Sequence, residues 1–283
     1  MKVYSRNEKH RSSVSDREVR LPSTYGELFL DSIKQNWQTI ILIGLMSFLF
    51  FIPAFGFNFA KGYYLMSLLT TDLDPSEIDA LRITSYNLFN IGLALGIVFA
   101  SIGISGLSRI NLLVAREEGF YFFKDFNKGV KQNLTTNLIF FIIYALLIYG
   151  SLLVINSTAG TFLKYLPFAL VQSIFFPVLI THIETSTIYD WKIKDNFRNS
   201  FFIYIKHFVV IFLFSALLTS VLLLNLIQYI FLKYALYAII TIFIYPFLIL
   251  GMRVYFNKML DKDINKEHYP EIYKRGIFEK EKQ

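Results

Sequence analysis

Six stretches of the chain carry no Asp, Glu, Lys or Arg: 35–60, 83–108, 132–163, 165–183, 207–232 and 234–252. Crossing about 30 Å of hydrocarbon at 1.5 Å per residue takes roughly 20 helical residues. Each stretch is close to that length or above it. The pattern predicts an all-α integral membrane bundle of six transmembrane helices. A soluble helical protein with six long charge-free helices in 283 residues would be unusual. The first apolar run follows a long, charged polar segment, too late and too long for a secretory signal, and reads as an uncleaved anchor. The chain divides into an N-terminal tail with an amphipathic helix (1–35), a six-span membrane domain (36–255) and a basic C-terminal tail (256–283).

The edges of the apolar runs repeat a phrase. Phe29–Asn36 reads FLDSIKQN and Phe126–Asn133 reads FNKGVKQN, and a weaker copy runs Phe197-Arg-Asn-Ser200. Apolar residues recur every fourth position in each: Phe29, Ile33 and Trp37; Phe122, Phe126 and Val130; Ile193, Phe197, Phe201 and Ile205. In the second copy Lys124, Lys128 and Lys131 occupy another face. This spacing predicts helices lying in the membrane interface, with Phe29, Phe126 and Phe197 toward the apolar side and Lys131 toward the headgroups of the lipid bilayer. Each copy precedes an outgoing span, so the chain reads as three units of interfacial helix, span out and span back.

The returning spans echo one another. Pro177 lies seven residues before Glu184, and Pro246 seven before Arg253. The first unit has Gly103 six before Arg109 instead. Pro53, Pro177 and Pro246 each remove one helical hydrogen bond and are expected to kink their spans. Such breaks build solute sites in transporters, although proline is also common in membrane helices generally. The small residues of ASIGISG (100–106) predict close helix packing.

The net charge of +7 comes from one side. Of 28 Lys and Arg residues, 24 fall before residue 35, in the loops 109–131 and 184–206, or from residue 253 onward, and only 4 in the other three loops. Positive charge stays inside, so both termini are expected in the cytoplasm. The spread over four membrane-proximal segments makes a nucleic-acid partner unnecessary. The loop 61–82 is acidic, and its DPSE predicts a helix start with Asp74 as cap and Pro75 first. It lacks the glycine turn and bidentate Glu of a calcium loop.

Candidate chemistry is sparse. There are no cysteines, and His10, His182, His207 and His268 show no ligand spacing. No phosphate loop, nucleophile elbow or zinc-protease motif is present, so no enzyme activity, metal or cofactor is expected. The residue that stands out is Glu184, two after His182, where the other units carry Arg109 and Arg253. An acid between two cationic equivalents predicts pairing across helices, either as a gate or switch or as a static pair at the interface.

Residues 103–135 (GISGLSRINLLVAREEGFYFFKDFNKGVKQNLT) resemble the YesL-like family of small bacterial membrane proteins. Arg109, Arg116, Glu117, Phe123, Phe126, Lys131 and Asn133 occupy the family's places. FPVLITHIE followed by NFRNSFFIYIKH is similar to its later span and helix, through Pro177, Glu184 and Asn199. The stretch 61–82 is longer than the family's. The resemblance implies a bacterial inner-membrane protein associated with carbohydrate uptake, with a transporter as partner. It implies no catalytic residues. The expected function is therefore an accessory or regulator of a membrane complex; the alternative is a small-solute permease with a site between the kinked returning helices.

Overall fold

The computed structural model describes residues 22–68, 70–71, 73–157 and 162–278. The charged segment 1–21 with His10, Asp72 and the last five residues lie outside these. The described chain forms seven helical segments: α1 (Tyr25–Leu68), α2 (Pro75–Ala115), α3 (Phe122–Ser157), α4 (Phe162–Ile188), α5 (Ile193–Lys206), α6 (Phe208–Leu226) and α7 (Ile230–His268). All but α5 are long and apolar enough to cross a membrane. The molecule is a six-span helical membrane bundle.

Local chemistry sets the helix ends. At the start of α1 the Glu27 amide donates to Thr24 Oγ1, while the Glu27 carboxylate accepts from the Ser23 amide and hydroxyl; this is a capping box shifted by one residue. Asp74 takes the cap position of α2 ahead of Pro75, but its side chain makes no capping bond. The α2 helix closes with Glu118 N donating to Leu113 O and Glu117 N to Val114 O. Glu117 then stands at φ +52°, the left-handed position that usually holds glycine in such a Schellman turn.

Helices outrun the apolar stretches. The region 61–82, expected as a loop, is mostly helix, because α1 runs to Leu68 and α2 starts at Pro75. The expected domain boundary at 255/256 falls inside α7, which continues to His268. Membrane length limits the apolar run, and a helix continues beyond it as long as its backbone bonds are satisfied.

The interfacial segments differ from one another. The first bends away from its span at Asn36 (φ −123°, ψ 20°). The third, α5, is separated from α6 by His207 (φ −115°, ψ 30°). The second runs straight into its span within α3. Phe126 there is only 8% exposed and stacks on Phe50 of α1 with centroids 5.8 Å apart, so it faces the core and not the lipid. Lys131 and Phe197 are exposed, and Phe29 is half-buried against α7. One position repeats in all three: Ser32, Gly129 and Ser200. Ser32 Oγ donates to Val114 O at 3.2 Å, and Ser200 Oγ lies 3.0 Å from Thr185 Oγ1. A Cβ at Gly129 would stand 2.8 Å from Ser105 O. Each phrase therefore places a small residue where its helix meets a returning span.

The α2 helix, with its small residues, is the most buried span, and α6 the least. Apolar clusters join α1, α2 and α7 through Ile40, Ile110 and Leu250, and join α4 to α7 through Val178 and Phe256. Pro22 O accepts from Phe278 N at 3.0 Å, so both ends of the described chain meet at one end of the bundle, called the terminal end below.

Candidate functional site

The prolines of the two returning helices act alike. Lacking an N–H, Pro177 cannot bond Ser173 O and Pro246 cannot bond Ile242 O. In each helix the turn before the proline widens to π geometry, over Val171–Phe175 and Ile240–Ile244, the usual response to an interrupted ladder. Both freed carbonyls are approached from outside. Tyr204 of α5 donates its hydroxyl to Ser173 O at 2.7 Å. Ile242 O faces Gly44 of α1, where a Cβ would come within 2.1 Å; only glycine lets the two backbones approach so closely. Pro53 behaves differently: α1 stays helical there, and its break lies at Asn36.

Seven residues beyond each proline, the equivalent positions meet. Arg253 Nε lies 2.8 Å from Glu184 Oε2, with the two side chains 1% and 2% exposed. The Nε–H is not aimed at the oxygen, so this is a charge contact more than a directed hydrogen bond. The guanidinium is held further by Nη1 donating to Glu184 O and Nη2 to Ser108 O, both at 3.3 Å. Ser108 precedes Arg109, the first unit's equivalent, so all three returning helices converge on Arg253. Arg109 itself turns away, 3.5 Å from Asp125 Oδ1 and 3.0 Å from Gln132 Oε1. His182 does not join the pair. It is fully buried and stacked on Phe140 at 3.6 Å between centroids, and neither ring nitrogen has a hydrogen-bond partner among the described residues.

Above the ion pair lies a chamber of about 340 Å³, touched by all six spans. Its wall is almost wholly apolar, with Phe51, Leu107, Phe141, Ile180, Leu222 and Ile249 contributed by successive spans. Polar groups are few. Tyr144 and Gln172 bond each other at 3.1 Å, and Asn111 Nδ2 is buried without a partner among the described residues. Sequence reasoning missed Asn111 and Ser108, because nothing in the local pattern separates them from packing residues.

Polar contacts tie the terminal end together. Buried Asp261 accepts from the Tyr25 hydroxyl, Asn265 Nδ2 and Lys274 N. Gly276, at φ +85°, lies against Arg116 O, and Arg275 pairs with Glu118 at 3.2 Å. Burial of the Arg116 guanidinium pushes its pKa down. No cluster of His, Asp and Glu among the described residues could hold a metal ion.

Fold and site together define a six-span membrane protein with an apolar chamber over a buried ion pair. Compared with protein-family models, curated proteins and solved structures, the chain matches none.

Proposed function

We propose that the chain is a non-enzymatic accessory or regulator of a membrane complex, such as a carbohydrate-uptake system, in the bacterial inner membrane with both termini cytoplasmic. The observation that carries this over the permease reading is the wall of the chamber. A sugar or other polar solute loses its water on entry and needs hydrogen-bond partners along its path. The wall has too few. An apolar solute needs no permease, since it crosses a bilayer unaided. A chamber of this kind suits recognition better than passage. The resemblance to YesL-like proteins at 103–135 and around Pro177 and Glu184 adds the carbohydrate-uptake context. In liposomes holding the purified protein, labelled monosaccharides and amino acids are expected to leak no faster than from protein-free liposomes. A protein-dependent flux that stops when Thr241→Trp narrows the chamber would replace this reading by the permease.

A further inference from the structure

Three features of the chamber define what would fill it. The first is size. At about 340 Å³ it is more than twice the roughly 150 Å³ apolar cavity that takes up benzene. The second is the wall, which rewards a hydrocarbon body and penalises hydroxyls or charges along it. The third is the floor. Arg253 and Glu184 neutralise each other, and Arg253 is held further by the carbonyls of Ser108 and Glu184. An anionic head would have to displace Glu184, and a cationic head would have to displace Arg253. Outside the ion pair, one buried polar atom of a lining residue has no hydrogen-bond partner among the described residues: the Nδ2 of Asn111, which is 3% exposed. A buried donor in that state is costly until an acceptor reaches it.

We infer that the chamber binds an uncharged, lipid-soluble molecule with a hydrocarbon body and one hydrogen-bond acceptor at its end, such as a hydroxyl or carbonyl, held by Asn111. The inference rests on the regulatory reading above and gives it a ligand: the membrane itself delivers the molecule, and occupancy of the chamber is what the complex senses. The acceptor meets Asn111 Nδ2 near the ion pair, and the chain lies among side chains such as Leu107, Ile180 and Leu222.

The test uses the full chain in lipid nanodiscs and a twelve-carbon primary alcohol carrying a diazirine in its chain. On illumination, labelled peptides are expected from chamber-lining segments of α2, α4 and α7. Unlabelled 1-dodecanol should compete; dodecane should compete about fivefold less well, the order expected for one hydrogen bond, and dodecanoate less well than 1-dodecanol because its charge meets an apolar wall and a floor already neutralised. Asn111→Leu should weaken chamber labelling by a similar factor. Thr241→Trp, or the milder Leu222→Trp if the first does not fold, should abolish it. Labelling that is confined to lipid-facing residues and ignores both tryptophans overturns the inference. So does equal competition by dodecane, or stronger competition by dodecanoate. None of these results changes the liposome flux, so the ligand and the regulatory reading fail separately.

Discussion

Arg253 illustrates how one buried side chain is kept charged by neighbours from two other helices. Its guanidinium meets a carboxylate and two main-chain carbonyls. Such a pair adds little net stability over a well-packed apolar pair, but removing one partner leaves a bare charge inside. Glu184→Gln is therefore expected to cost about 3–5 kcal/mol, read as a lower unfolding midpoint of the detergent-solubilised protein. The double variant Glu184→Leu with Arg253→Leu should lose less than Glu184→Gln alone. If Glu184→Gln unfolds at the parent's temperature, the contact carries no charge worth keeping. The sequence marks these residues through their shared distance from a proline. It does not reveal that Arg109, at the equivalent place in the first unit, turns to Asp125, because that choice depends on which helix passes beside it.

At the scale of elements, the two π turns are the devices that shape the returning helices. The prolines that cause them are visible in the sequence, but the groups that receive the freed carbonyls are not. Tyr204 lies 31 residues from Ser173, and Gly44 stands on α1 while Ile242 stands on α7. Neither contact leaves a periodic trace. The straight course of α3 was equally hidden: KQN occurs at Lys34–Asn36, where the helix breaks, and at Lys131–Asn133, where it does not. The difference lies in packing, since Phe126 and Gly129 seat against α1 and α2. The Gly44 contact yields a coupled prediction. Gly44→Ala places a methyl on Ile242 O and should cost about 1–3 kcal/mol through overpacking. Pro246→Ala restores an N–H for that carbonyl and lets the turn tighten. In a double-mutant cycle by thermal unfolding, the cost of Gly44→Ala should shrink in the Pro246→Ala background. Simple additivity would show that the π turn is not set by the proline.

For the whole molecule, the charge-free runs were enough to count six spans, because charge is expensive in hydrocarbon and the chain obeys that limit throughout. Helix length was not legible, since nothing in hydropathy marks where a helix stops once it has left the membrane. The chamber was not legible either, being the space left when six helices meet. The charge bias sets the expected orientation: a cytoplasm-dependent reporter fused after Lys131 should be active, and one inserted near Asp74 should be silent. The reverse pattern would place the terminal end outside and turn the proposed regulator around.

The ion pair also imposes an order on assembly. Glu184 enters the bilayer with the fourth span, but its partner is 69 residues further along the chain. At ordinary translation rates that is a wait of roughly 3 to 14 s. During it the half-made protein carries an unmatched acid at the end of a helix hairpin, and must hold it at the water surface or in a protonated form. Only when the last span arrives can the carboxylate settle inward. A ribosome that stalls between the fifth and sixth spans therefore leaves behind a chain whose Glu184 lacks the partner that the finished fold gives it.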